Sequence, residues 1–201
     1  MLTDGILHIQ DLAQSSFAPY GWVLGKSMPS EGSGIPRFSN PATDFWQEHV
    51  FDTGPGGATE VLWVNYRSAA APLPLQSLEM HRLTQQAIVP LNGDIIQVVA
   101  TSSADGSPDL TTLAAFRIPA GKGICMAPGC WHATRACAPE VTCLMLTRRS
   151  TTRDLIDMLA AGSNIEDGQA RESAIANIPT VKLGSADERD ALDDAEDRWL
   201  K

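Results

Sequence analysis

Ala87-Ile88-Val89-Pro90-Leu91-Asn92-Gly93-Asp94-Ile95-Ile96-Gln97-Val98-Val99 decides the fold class of this chain. Two short, β-branched apolar runs flank a cluster of turn formers, and such runs read as strands. Asn92 and Gly93 both tolerate positive φ, so the spacing predicts a tight hairpin between the runs. The same grammar repeats outward. Val61-Leu62-Trp63-Val64-Asn65-Tyr66, Leu113-Ala114-Ala115-Phe116-Arg117-Ile118 and Val141-Thr142-Cys143-Leu144-Met145-Leu146 are further strand candidates, and Ala104-Asp105-Gly106-Ser107-Pro108 is another turn cluster. Many short strands with no helical pattern between them predict a mainly β chain, an antiparallel sandwich or barrel over residues 1–150.

The period changes after Thr147. Ser150-Thr151-Thr152-Arg153-Asp154 offers capping hydroxyls and an early acid, Leu155, Ile156, Met158 and Leu159 form an apolar stripe, and Gly162 supplies a stop. Residues 151–201 are therefore expected to be a helical, acidic extension. Its last part, 187–201, reads as a solvated acidic tail or as a docking helix anchored by Leu192, Trp199 and Leu200. Segment 25–60 is rich in Gly, Pro, Ser and Asn, a composition expected of a lid or binding loop.

The chain has 201 residues, 43% of them hydrophobic, and a mean hydropathy of −0.10. It can bury a core without disulfides or metal. A formal charge of −9 and a pI near 4.8 argue against nucleic acid. Residues 151–201 carry −6 of that charge, so the barrel region is near neutral and a small anionic substrate is compatible with it. No run is long and apolar enough to span a membrane, and Met1-Leu2-Thr3-Asp4-Gly5 does not open a secretory leader. Cys125, Cys130, Cys137 and Cys143 form no Cys-x-x-Cys pair, which suits neither a zinc knuckle nor a disulfide framework; a cytoplasmic protein is expected.

Gly21-Trp22-Val23-Leu24-Gly25-Lys26-Ser27 imitates a phosphate loop but is one residue short between its glycines, and no helix pattern follows. The chemistry lies elsewhere. In Leu78-Glu79-Met80-His81-Arg82-Leu83-Thr84-Gln85-Gln86-Ala87, Glu79 and His81 are two apart, so a strand projects both from one face. Gln86 could join them. In Gly123-Ile124-Cys125-Met126-Ala127-Pro128-Gly129-Cys130-Trp131-His132, the Pro-Gly turn delivers His132 to the start of a strand. Each histidine alone reads more often as a hydrogen-bonded structural residue than as a ligand or catalyst; it is the two together that carry weight. Cys130 reads as a buried, inert thiol, Trp131 as a pocket wall, and His8 and His49 as surface or structural residues.

The Glu79-x-His81-x4-Gln86-x6-Gly93 and Gly123-x5-Gly129-x2-His132 spacings resemble the two cupin motifs. More specifically, the stretch 78–87 is similar to the Leu-Glu-Arg-His-Pro-Leu-Gly-(Ser/Thr)-Gln-Ala signature of ureidoglycolate lyases. Phe17-Ala18-Pro19-Tyr20-Gly21-Trp22-Val23, Pro108-Asp109-Leu110-Thr111-Thr112-Leu113-x-Ala115-Phe116 and Gly123 through Trp131-His132 resemble three further stretches of that family, in order. The chain departs from the pattern at Met80, Arg82, Ala127 and Ala133, where the family carries Arg, Pro, His and often His.

The resemblance implies a cupin-like antiparallel β-barrel of jelly-roll type and a carbon–nitrogen lyase that splits ureidoglycolate into glyoxylate and urea, in allantoin and purine degradation. It also implies a homodimer. His132, His81 and Glu79 are then the acid/base or ligand residues, since imidazoles work near neutral pH. Arg37, Arg67 and Arg82 are candidates to clamp the substrate carboxylate, with Gln86 and Trp131 as further substrate contacts. The reaction needs no redox cofactor. Glu79, His81, Gln86 and His132 could hold a divalent metal ion, or they could line a polar interior without one. Two other readings stay open: a metal cupin acting on another small acid, and a non-catalytic small-acid-binding relative.

Overall fold

The computed structural model describes residues 2–3, 5–68, 74–161 and 172–184. Short strands dominate: β1 (Leu2–Thr3), β2 (Ile6–Asp11), β3 (Gly21–Leu24), β4 (Arg37–Asn40), β5 (Thr43–Trp46), β6 (Thr59–Arg67), β7 (Leu75–His81), β8 (Gln86–Pro90), β9 (Ile95–Ala100), β10 (Ala114–Ile118), β11 (Gly123–Met126), β12 (Trp131–Ala136), β13 (Glu140–Arg148) and β14 (Ser173–Gly184). Helix α1 (Gln14–Phe17) is one turn, and α2 (Arg149–Ala161) is the expected helix after the barrel strands.

Two sheets face each other. One runs β3-β11-β8-β13-β6; the other runs β1-β2-β10-β9-β12-β7-β14, and β14 also pairs with β2, closing its last six strands into a ring. The core between the sheets holds Val23, Ile88, Ile124, Cys143 and Met145 from the first and Ile95, Val99 and Phe116 from the second. A second apolar cluster, including the buried Leu78, Met80, Val98, Ala115 and Trp131, draws on the ring strands and the adjoining Leu113. The fold is mainly β and cupin-like.

Several matched motif residues are core. Phe17 and Tyr20 pack on Phe116, with Phe17 and Phe116 ring centroids 5.4 Å apart, and the Tyr20 hydroxyl donates to Thr112 O. Gly21 holds a φ of +151°, and a Cβ there would lie 2.1 Å from Cys125 O, so only glycine fits. The first four residues of the stretch that imitates a phosphate loop are strand β3 (Gly21–Leu24).

Three expectations are corrected. Asn92-Gly93 is no hairpin turn: β8 and β9 lie in different sheets, and the turn is a corner between them. Asn92 Oδ1 accepts from Thr142 N at 2.8 Å, and a Cβ on Gly93 would sit 3.0 Å from Val141 Cγ2, so glycine is there for space. Segment 25–60 is not free loop. It contains the β4–β5 hairpin, and Glu48 accepts from Gly25 N and Lys26 N at 2.9 and 2.6 Å. The extension beyond 150 is not only helical, since β14 completes the ring. Its bulge between Asn177 and Val181 and its polar residues mask the strand period. Gly162 and the tail 187–201 lie outside the described residues.

Candidate active site

The β7–β12 pairing spans only two residue pairs, Trp131 with Met80 and His132 with Glu79. Beyond it, β12 continues along β9 while β7 continues along β14. The strands fork, and a cavity of about 1090 Å³ occupies the fork. Glu79 and His132 stand at its apex, among Ser77, Leu78, Ala133 and Thr134.

Strand alternation puts Glu79, His81 and His132 on the face between the two sheets, as the sequence implied. One ligand-type atom from each lies within 4.8 Å of the others. His132 Nε2 is 3.2 Å from Glu79 Oε1, off the line of a hydrogen bond, and the His81 and His132 ring centroids are 5.0 Å apart. His132 Nδ1 lies 3.0 Å from Cys130 O. A carbonyl only accepts, so Nδ1 carries a hydrogen and Nε2 is the atom offered to Glu79. His81 Nδ1 bonds Ser173 Oγ at 3.0 Å, which leaves its buried Nε2 without a partner. Gln86, at the start of β8, is buried against His81 and donates to Met145 Sδ at 2.9 Å.

The electrostatics follow from burial. Desolvation first, and then the charge of His132, push the His81 imidazole down to about 4, so it is neutral at physiological pH. Burial would raise the Glu79 carboxyl, but the close approach and charge of His132, helped by the charge of His81, outweigh it and hold the group below its ordinary value. Burial alone pushes the Cys125 and Cys130 thiols up to about 12, which makes them inert.

Other candidates lie elsewhere. Trp131 points into the ring core on the opposite face, because adjacent strand residues alternate. Arg37 is tied to its own loop, donating to Pro29 O at 3.0 Å and lying 3.7 Å from Glu31. Arg82 is exposed and does not line the cavity, and its backbone N–H donates to Glu172 O at 2.7 Å. Arg67 does line the cavity, ion-paired with Glu140 at 2.7 Å. Among the described residues, no part of segment 25–60 lines it. Sequence reasoning missed Tyr66, Arg135 and Lys182, which also line the cavity, and Ser173, which holds His81. No local signal marks them, since strand pairing alone brings them there.

The model for ureidoglycolate lyases matches residues 4–165. This chain belongs to the ureidoglycolate lyase family. Ureidoglycolate lyase 2 of Rhizobium meliloti (strain 1021) is 30% identical over 166 residues, covering 80% of this chain and 91% of that protein. Ureidoglycolate lyase of Brucella ovis is 29% identical over 128 residues, covering 63% and 72%. Among solved structures, a 4-keto-6-deoxy sugar epimerase from Streptomyces spheroides aligns with a TM-score of 0.38 and 13% identity, over 60% of this chain and 71% of that one, a likeness too slight to build on. Two departures from the family signature have a common place. Met80 is buried in the ring core, and Ala133 packs against it. Neither replacement removes a group from the Glu79–His81–His132 face. Among the described residues, no helix is long and apolar enough to cross a membrane.

Proposed function

We propose that this lyase cleaves ureidoglycolate to glyoxylate and urea. The convergence of Glu79, His81 and His132 within 4.8 Å, with Glu79 and His132 lining a cavity and His81 buried behind them, is the observation that carries this reading. The reaction moves one proton. The carbinol O–H gives its proton to a base, its oxygen closes to a carbonyl, the C–N bond breaks, and the departing urea nitrogen takes a proton. Glu79, held ionised below its ordinary value, is suited to accept the first proton. His132 Nε2, 3.2 Å away, is suited to pass a proton to the nitrogen, its ring fixed by the Nδ1–H bond to Cys130 O. Neutral His81 orients the substrate from the second position of the same face. Arg135 and Lys182 are the cations we assign to the substrate carboxylate, with Arg67 as a third; among the described residues neither Arg135 nor Lys182 has an ion-pair partner. Gln86 stays a contact of the site, while Arg37, Arg82 and Trp131 drop out of it.

The donor set fits a divalent cation. Two buried Nε2 atoms lack a hydrogen-bond partner and face one carboxylate, a combination that suits such an ion. Glu79, His81 and His132 would hold it, and it would supply Lewis acidity to the site. A homodimer belongs to the same proposal; light scattering tests it.

The deciding experiment is release of urea and glyoxylate from racemic ureidoglycolate by chelator-treated and metal-replete protein. Equal amounts of both products are expected. Release of neither in both preparations overturns the reading, and loss on chelation alone assigns the cluster to a metal.

A further inference from the structure

Ureidoglycolate has about nine non-hydrogen atoms, whereas pockets of roughly 300–1,000 Å³ hold drug-sized ligands. The cavity at the β7–β12 fork measures about 1090 Å³. Only its apex carries the Glu79–His132 pair. The rest of the lining mixes the cations Arg67, Arg135 and Lys182 with a set of apolar side chains: Ile9 and Ile96 from the ring strands, Ile175 and Leu183 from β14, and Leu159 from α2. Ile175 faces Glu79 directly across the β14–β7 register, so the apolar wall begins beside the reacting groups. Leu159 is 70% exposed, an apolar side chain held at the rim. A site serving the ureido group alone would need neither the volume nor this wall, because urea offers only polar atoms.

We infer that this cavity accepts carbinolamides in which the ureido NH2 is replaced by an apolar alkyl chain, that is, N-acyl-α-hydroxyglycines. The inference rests on the proposed lyase reaction and keeps its chemistry. The carbinol O–H loses its proton to the base, the carbonyl of glyoxylate forms, the C–N bond breaks, and the amide nitrogen takes a proton to leave as a primary amide. No oxidant or reductant enters. The acyl chain runs along Ile175, Ile9 and Ile96 toward Leu159, while Arg135 or Lys182 takes the carboxylate.

Glyoxylate release is measured, after subtraction of spontaneous decay, from ureidoglycolate and from N-acetyl-, N-butyryl-, N-hexanoyl- and N-succinyl-α-hydroxyglycine. kcat/KM is expected to rise roughly threefold to fourfold per added methylene across the neutral series, the worth of burying each group. N-succinyl, which ends in a charge, should fall below N-butyryl. Good turnover of ureidoglycolate with a flat or falling acyl series overturns the inference and leaves the lyase reading intact. A rising series without turnover of ureidoglycolate supports the inference and replaces that substrate. Silence on all five compounds overturns both, and N-succinyl above N-butyryl overturns the apolar assignment. Leu159→Glu, at a solvent-facing helix position that folding tolerates, should lower the ratio of hexanoyl to ureido turnover at least about threefold. An unchanged ratio removes the chain from this cavity.

Discussion

The two faces of the β7–β12 pair differ completely although they divide the same four strand positions, two to each face. Glu79 and His132 project between the sheets; Met80 and Trp131, one residue away on each strand, project into the closed ring. The first face leaves two imidazole nitrogens unpartnered, which stabilises nothing and is a cost of burial. The second packs a tryptophan that is 3% exposed against a methionine that is 1% exposed. The proposed chemistry and the packing are thus separated by one peptide unit. Substitutions should reveal which face they touch by which property they change.

The largest effects should fall on the polar face. His132→Ala and Glu79→Gln should each lower kcat/KM on the true substrate by about 10²–10⁴, the range for a lost general acid or base. Their thermal midpoints should fall only modestly, because each variant removes the attraction that holds the Glu79 carboxyl below its ordinary value but no core packing. Full activity in both variants would dissolve the site. Trp131→Ala should do the reverse, costing about 3–5 kcal/mol in urea unfolding as a large core truncation. Protein that still folds should keep its catalytic constant within a few-fold; a loss comparable to that of His132→Ala would mean that the two faces are not independent.

A pH titration sharpens the same contrast in metal-free protein. Unfolded His81 binds a proton near its ordinary 6.5, whereas the folded protein withholds it until about 4, burial being the main cause. The unfolded state therefore binds more protons across this interval. Stability is complete above 6.5 and falls as the pH drops toward 4, by about 3 kcal/mol in all. Glu79, also below its ordinary value, adds loss in the same direction at the acid end. Urea midpoints at several pH values between 4 and 7 read this slope, and His81→Asn should flatten it.

The smallest effect belongs to Ser173→Ala. It removes the bond to His81 Nδ1 and should cost about 1 kcal/mol. Activity should fall no more than about tenfold, as expected of a residue that positions another. Recovery in Ser173→Thr would assign the loss to the hydroxyl; equal loss in both variants would assign it to strand β14 itself.

Five strands were legible from apolar runs and turn residues, because β6, β8, β9, β10 and β13 are long enough or apolar enough to show their period. The Glu79–His81 pair was legible too, since alternation along one strand needs no partner. The Asn92-Gly93 turn misled for a physical reason: both a hairpin and a corner between sheets need a compact bend, and local conformation does not say which strands it joins. Strand β14 was hidden because its hydrogen bonds go to β7 and β2, about a hundred residues or more away in the chain.

The sequence alone determined the alternation that puts Glu79 and His81 on one face, the β class, and the family to which the motifs belong. Tertiary structure alone decided the fork between β7 and β12, the placement of Arg135 and Lys182 rather than Arg37 and Arg82 in the cavity, and the ring that Ser173 helps to close. The division has one cause. Side-chain direction is set by neighbouring dihedrals, whereas cavities, cation placement and ring closure depend on hydrogen bonds between distant strands.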